Sequence, residues 1–256
     1  MMITLVGSGN VATWMAQRLQ GSSRFPVTQV YSRKLENARR LAALSDAEAI
    51  DDIRQLKPGN QIVVFALADN AYETVLPQLP FRLPAAFMTS GTVSCQCLKD
   101  HADNYGVIYP LQTFTKSQDM RTLEVPLCLE SDNACRYKMQ MWDLARELSP
   151  KCYEVSETQR ARMHLAAVFA CNFSNAMCRI AYDLLQEQGL PFEILMPLLR
   201  QTVNKLAAMP PAEAQTGPAA RRDENVMRAQ LSELEDERLR QLYRMMSELI
   251  CGTAII

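Results

Sequence analysis

Met2-Ile-Thr-Leu-Val6 running straight into Gly7-Ser8-Gly9-Asn10-Val11-Ala12 is the stretch that decides the fold. The first five residues are an apolar strand pattern, and the next six form a Gly-x-Gly-x-x-Ala turn. Beyond it, Val11, Trp14, Met15 and Leu19 recur on one side of a helical pattern. Glycines alone are weak evidence, but strand, tight turn and helix start in that order are what a dinucleotide-binding βαβ unit requires. Gly7 permits the sharp turn, Gly9 removes a Cβ from the path of a pyrophosphate, and Ala12 lets the helix pack closely on the strand. The helix N-terminus offers unpaired N–H groups and partial positive charge to phosphates. Gly7, Ser8, Gly9, Asn10 and Val11 are therefore expected cofactor contacts. The alternative is a strand–helix turn with no ligand.

The second strand selects the dinucleotide. Pro26-Val-Thr-Gln-Val-Tyr31 ends in Ser32-Arg33-Lys34 before a helix over residues 35–44. An NAD site usually places Asp or Glu here for the ribose 2′-hydroxyl. This chain supplies a hydroxyl and two cations instead, with no carboxylate before Glu36. Arginine binds a 2′-phosphate in a forked geometry, so NADP(H) is expected, with Ser32 and Arg33 as main contacts and Lys34 in support. The alternative is that Arg33 and Lys34 are a solvated helix start.

The chain has 256 residues, enough for two modest domains, with 48% hydrophobic and 21% charged residues. Its formal charge of −1 and lack of a basic run leave no electrostatic footprint for nucleic acid. No apolar stretch reaches membrane-spanning length, because Asn172, Asn175 and Arg179 interrupt the nearest one. The chain starts as a strand with no basic leader. The eight cysteines are scattered without metal-ligand spacing, and most read as small buried residues. A cytoplasmic protein without a metal site is expected.

Strand and helix patterns alternate further: strands at 47–50, 61–67, 84–88, 105–109, 125–130 and 151–155, with helices at 51–56, 70–76 and 133–148 and a turn at Pro58-Gly-Asn60. Such alternation implies an α/β fold, with a Rossmann-like, mostly parallel sheet covered on both faces. After residue 155 the pattern is helical: 156–188, 193–208 and 223–250, separated by Gly189-Leu-Pro191, Met209-Pro210-Pro211 and Thr216-Gly-Pro218. The expected organisation is a dinucleotide-binding domain at 1–155 and an all-helical substrate and dimerisation domain at 156–256. Amphipathic helices in so small a domain often bury part of their apolar face against a second copy, so a homodimer is expected.

Ligands of an open parallel sheet bind beyond the carboxyl ends of its strands. Ala66, Leu67 and Ala68 end the fourth strand and should line the cofactor. Thr89 and Ser90 end the fifth and can meet a carbonyl or carboxylate, or simply cap the following helix. Gln112 and Thr113 follow the sixth, suiting a nicotinamide or substrate pocket, or an ordinary ordered loop. In the helical half, Arg160, His164, Cys171 and Asn175 fall within about 60° on one α-helical face, with Asn172 beside them. His164 there is either a general acid, since histidine titrates near neutrality, or a satisfied core residue. Spacing alone weighs toward the second. The loop 216–223 carries Arg221 and Arg222, which can hold a carboxylate or phosphate, or stand in solvent while Asp223 caps the last helix.

Together these segments resemble two-domain NADP-dependent oxidoreductases, including pyrroline-5-carboxylate reductase and the deazaflavin-dependent NADP reductases. They are most similar to a bacterial family with a Rossmann-like domain followed by a helical domain of unknown function. The segments that carry this are Tyr109-Pro-Leu-Gln-Thr-Phe114, residues 164–173 and Thr216-Gly-Pro-Ala-Ala-Arg-Arg-Asp223. The resemblance implies site roles for His164, Asn172, Thr216, Arg221 and Asp223, and supplies no substrate. Three departures stand out. Tyr109 precedes Pro110 where relatives often have histidine, and Arg222 replaces the glycine usual before Asp223. Val168, not lysine, lies one turn before Asn172, unlike the β-hydroxyacid dehydrogenases. Two functions are compatible with these residues. One is hydride transfer between NADP(H) and a small C=O or C=N substrate, with Thr89, Thr113, Thr216, Arg221 and Asp223 toward the substrate and His164, Asn172 and Ser90 at the chemistry. The other is a dimeric NADP-binding sensor or regulatory protein without turnover.

Overall fold

The computed structural model describes residues 1–59, 61–131 and 135–252. It divides into two units, Met1–Ser174 and Asn175–Ile256. The first contains, in chain order, β1 (Met2–Val6), α1 (Asn10–Arg18), β2 (Val27–Tyr31), α2 (Leu35–Ala42), β3 (Glu48–Ile50), β4 (Gln61–Phe65) and α3 (Tyr72–Val75). There follow β5 (Ala85–Met88), β6 (Tyr105–Pro110), β7 (Leu127–Ser131), α4 (Lys138–Leu148), β8 (Cys152–Glu154) and α5 (Glu157–Ala167).

The strands form one sheet in the order β3-β2-β1-β4-β5-β6-β7-β8. β1 to β6 run parallel, β7 turns antiparallel against β6, and β8 follows β7. Alternate residues feed two cores. Ile62 and Val64 enter the one that α1 and α4 cover, and Val63 and Phe65 enter the other with Tyr72 and Val75 of α3. A strand buried on both faces reads as a continuous apolar run, which is why Gln61-Ile-Val-Val-Phe65 shows no polar alternation. Strand order reverses between β1 and β4, and such a switch point opens a crevice at the carboxyl edge.

The helices expected at 51–56 and 70–76 are shorter than their patterns. The first is a 3-10 turn, Ile53–Gln55, and the second is the four-residue α3 between two 3-10 turns. Pro77 enters the next turn and cannot donate a helical hydrogen bond. α4 is described from Lys138; the expected start at Asn133, like Asn60 of the expected turn, lies outside the described residues.

The sheet ends at Glu154, yet the first unit continues to Ser174. α5 opens with a capping box, Ser156 Oγ accepting from Gln159 N at 3.2 Å and Gln159 Oε1 from Ser156 N at 2.8 Å. It then packs Met163 onto the sheet core and buries Arg160 completely. The boundary expected at 155 follows the last strand, whereas packing carries α5 with the sheet.

The second unit holds α6 (Ser174–Glu187), α7 (Met196–Ala208), α8 (Pro211–Ala214), α9 (Pro218–Arg221), α10 (Glu224–Ser232) and α11 (Glu237–Cys251). The pattern read as one segment over 223–250 is two helices, because the Asp236 carboxylate caps α11 by accepting from Arg238 N at 2.7 Å. α9 packs against α10 and α11, and an apolar cavity of about 370 Å³ opens among Met177, Leu184, Thr216, Leu242 and Met246.

Arg222 ends α9 in the left-handed region, at φ 56° and ψ 40°. Glycine takes this conformation freely, and an L side chain pays roughly 1–2 kcal/mol for it. The Arg222 guanidinium makes only a long 3.5 Å approach to the Cys251 carbonyl among the described residues. We expect Arg222→Gly to stabilise the chain by about 0.5 kcal/mol or more, after the flexibility glycine adds to the unfolded state. A raised urea midpoint is the readout. A lowered midpoint would show that the guanidinium contact outweighs the strain.

Candidate functional site

At the end of β1, Gly7 sits at φ 121°, and its N–H donates to the Tyr31 carbonyl at 2.9 Å. A Cβ on Gly7 would lie 2.2 Å from the Ala66 carbonyl oxygen, so the turn presses directly on the residue that follows β4. Gly9 differs: a Cβ there would meet no atom within 4 Å. Gly9 is also the N-cap of α1, which has no side-chain cap and no acidic residue in its first turn. The helix N-terminus thus faces open space with its N–H groups unspent, which suits a pyrophosphate.

Ser8 and Ser32 bring the turn and the end of β2 together, their hydroxyls 2.8 Å apart. Arg33 and Lys34 follow, both exposed and without an ion pair among the described residues. Such uncommitted cations at this position fit a 2′-phosphate. Val11 lies half-buried in the first turn of α1, and Ala66, Leu67 and Ala68 leave β4 at the same edge. Asn10 is already occupied in part, its amide donating to the Phe114 carbonyl at 2.8 Å.

Further along the edge, Thr89 N donates to the Phe65 carbonyl at 3.1 Å. The Ser90 hydroxyl donates to Asp69 Oδ1 at 2.8 Å and accepts from the backbone of Thr92 and Val93 at 3.1 and 2.9 Å. It is therefore committed to holding its own turn, the capping alternative for this residue. Gln112 is similarly engaged, its amide donating to the Glu124 carbonyl and accepting from Thr113 N, each at 2.9 Å. Thr113 is exposed in the same loop.

The pair that sequence reasoning missed is Tyr109 and His164. Tyr109 Oη and His164 Nδ1 are 2.9 Å apart, with the rings edge-on at 5.9 Å between centroids. Gly91 makes the approach possible, since a Cβ there would stand 2.5 Å from His164 Nδ1 and 3.0 Å from Tyr109 Cε2. Burial pushes the Tyr109 phenol up to about 12 against a smaller lowering by Arg160, so the hydroxyl keeps its proton at neutral pH. In the neutral tautomer that carries its hydrogen on Nε2, Tyr109 donates to Nδ1, and in the one that carries it on Nδ1 the ring donates to Tyr109. When it is cationic, Nδ1 donates to Tyr109. Either way Nε2 is the atom left for a ligand.

One turn earlier on α5, Arg160 is fully buried. Its Nε donates to Glu130 Oε2 at 2.9 Å and its Nη1 to the Ser90 carbonyl at 3.0 Å, fastening α5 to the ends of β5 and β7. Burial first, and the Glu130 carboxylate second, push the neighbouring Cys95 thiol up to about 12. Breaking one partner of such a buried pair typically costs about 3–5 kcal/mol.

The expected polar line from Arg160 to Asn175 does not survive as one face. Residues 168–173 form a π-helical turn, which advances the helix by one residue relative to α-helical spacing. Arg160 and His164 share a sheet-facing side before it, whereas Cys171 and Asn172 within it and Asn175 beyond it are exposed. In the second unit, Thr216 lines the apolar cavity while Arg221 and Asp223 do not. Asp223 caps α10, its Oδ1 accepting from Val226 N at 3.3 Å. No group of His, Cys, Asp and Glu among the described residues could hold a metal ion, and no helix among them is long and apolar enough to cross a membrane.

Comparison with known proteins places this geometry in context. The crystal structure of a putative NADP oxidoreductase from Bacteroides fragilis is 35% identical, with 98% of each chain covered and a TM-score of 0.88. The chain belongs to this oxidoreductase's family. A domain of unknown function, DUF2520, matches residues 125–250, so the family's domain model begins at the entry to β7 and runs through the helical unit. The fold extends further. A protein from Thermotoga maritima is 22% identical, covering 99% of this chain and 93% of its own, with a TM-score of 0.74. The pyrroline-5-carboxylate reductase of Streptococcus pyogenes is 15% identical with 98% of each chain covered and a TM-score of 0.65. No curated protein matches the sequence. Within this family fold, the nucleotide turn, Ser32 and the Tyr109–His164 pair all belong to the first unit.

Proposed function

We propose that this chain is an NADP(H)-dependent oxidoreductase that transfers hydride between the cofactor and a small C=O or C=N substrate. The observation that carries the reading is the Tyr109–His164 pair in the same unit as an uncapped dinucleotide turn, beyond the carboxyl ends of β5 and β6. The 35% identity to a protein described as a putative NADP oxidoreductase supports the cofactor. Gly7 to Val11 and Ala66 to Ala68 would line it, with Ser32, Arg33 and Lys34 around the 2′-phosphate.

Bound NADPH supplies a hydride to the substrate carbon. His164, as the imidazolium whose Nδ1–H Tyr109 accepts, would give the proton from Nε2 to the developing alkoxide or amine, leaving a neutral ring that still donates from Nδ1 to Tyr109. Asn172, in the π-helical turn, orients the substrate; such turns frequently mark functional positions. Ser90 acts through its turn, keeping Gly91 beneath the imidazole, and Thr89 and Thr113 stand toward the substrate. Thr216, Arg221 and Asp223 are proposed as substrate residues of the second unit, whose own apolar cavity Thr216 lines.

The helical half also carries the proposed homodimer. Leu198 and Val203 of α7 are 63% and 65% exposed and Leu249 of α11 is 76% exposed, which leaves apolar surface for a second copy. Light scattering should give twice the chain mass at micromolar concentration, and a monomer would oppose it. Only Cys95, Cys128 and Cys135 of the eight cysteines are buried, so most are not the small core residues that their spacing suggests. A cytoplasmic setting is part of the same proposal.

A binding-only regulator remains the second reading, favoured by Val168 in place of a catalytic lysine. The discriminating experiment is NADPH oxidation followed against a panel of imines, ketoacids and aldehydes. Substrate-dependent oxidation above the blank supports the enzyme. Tight NADPH binding with no oxidation by any member supports the regulator.

A further inference from the structure

The loop between β6 and β7 crosses the nucleotide turn and is fastened to it at several points. Asn10 Nδ2 donates to the Phe114 carbonyl at 2.8 Å, and the Phe114 ring packs 5.3 Å from Trp14 of α1. Met120 N donates to Gln17 Oε1 at 2.9 Å, and Arg18 donates to the Arg121 carbonyl. Between these anchors Lys116 reaches over the turn, its Nζ donating to the carbonyl oxygen of Ser8.

Lys116 is exposed and has no carboxylate partner among the described residues. Its neighbour Asp119 is taken by Arg121, whose guanidinium holds that carboxyl down at about 2. A long, strongly hydrated cation gains little from one exposed neutral carbonyl. Its place is better explained by a charge that belongs beside Ser8. The turn supplies the other half of such a site: Gly9 leaves open space, and the first turn of α1 lacks any acidic or capping side chain.

Resting on the NADP(H) reading above, we propose that Lys116 is a cofactor-binding residue that clamps the pyrophosphate from the side opposite the helix N-terminus. The ammonium moves from the Ser8 carbonyl to a phosphate oxygen, exchanging a neutral acceptor for a charged one. The anchored loop makes this movement a side-chain rotation. The chain thereby carries two cationic positions for one cofactor, Arg33 and Lys34 at the 2′-phosphate and Lys116 at the pyrophosphate.

The test uses the full chain with Lys116→Met, which keeps the stem and removes the charge, and Lys116→Arg. NADPH is titrated by nicotinamide fluorescence, adenosine 2′-phosphate by competition, and thermal midpoints are recorded. Lys116→Met should weaken NADPH binding tenfold or more while changing adenosine 2′-phosphate less than twofold. Lys116→Arg should recover most of the loss. The salt dependence of NADPH binding should also become shallower in Lys116→Met. NADPH binding within twofold of wild type in Lys116→Met overturns the clamp alone, as does an equal loss for both ligands with a lowered midpoint. Failure of the wild-type chain to bind NADPH overturns the cofactor reading and the clamp with it.

Discussion

His164→Ala should lower NADPH-dependent turnover about 100-fold or more, with a much smaller change in cofactor affinity. The size follows from the role. A positioned acid contributes about 10²–10⁴-fold, and the chain's other histidine, His101, makes no hydrogen bond to Tyr109 among the described residues. Tyr109→Phe should cost less, about tenfold, because the imidazole remains and loses only its orienting partner 2.9 Å away. Gly91→Ala is the sharper companion. Its Cβ would meet His164 Nδ1 at 2.5 Å, so the ring must leave the Tyr109 hydroxyl. It should approach the His164→Ala rate while the first unit stays folded. Turnover within threefold of wild type for His164→Ala would remove the residue from acid catalysis and leave it a packed core histidine.

The second large effect separates the two glycines of the nucleotide turn. Gly7→Ala combines φ 121° with a Cβ 2.2 Å from a backbone oxygen and 2.9 Å from the Ala66 carbonyl carbon. Strained backbone costs about 1–3 kcal/mol and overpacking about as much again, so a loss of about 4 kcal/mol is expected. Guanidinium or heat denaturation will read it. Gly9→Ala should behave oppositely. Its backbone, φ −74° and ψ −172°, is open to any residue, and the added methyl meets nothing. Stability should hold within about 0.5 kcal/mol, while NADPH affinity falls tenfold or more because the methyl occupies the pyrophosphate's approach. If Gly9→Ala bound NADPH normally, the cofactor would not lie against this turn.

Much of the fold was legible because both glycines and the apolar strands obey local rules. The β1 turn, Ser32 at the end of β2 and the run Gln61–Phe65 each follow from backbone freedom or from burial on two faces, which composition records directly. The helical half was less legible. A π-helical turn leaves no mark in apolar spacing, so extrapolating an α-helical period beyond Val168 aligned Asn175 with Arg160 on a face that does not exist. Capping by Asp236 likewise split a pattern that reads as continuous. The proposed cofactor residues follow from local sequence rules, whereas the contact proposed for the chemistry does not. Tyr109 and His164 are 55 positions apart, and their meeting depends on Gly91 and on Arg160 tying α5 to the Ser90 carbonyl. Nothing in the local sequence of Lys116 marks it, since its significance comes from where the β6–β7 loop is anchored.

The central claim, an NADP(H) site built on Gly7 to Val11 and Ser32 to Lys34, is tested most directly by parallel titrations of NADPH and NADH, followed by nicotinamide fluorescence, on wild type and Arg33→Ala. The expected result is NADPH bound at least tenfold more tightly than NADH by the wild type, with Arg33→Ala removing most of that preference by weakening NADPH alone, as loss of a charge-assisted contact worth about 1.5–3 kcal/mol would do. Equal affinity for the two cofactors, or a preference that Arg33→Ala leaves intact, would contradict it.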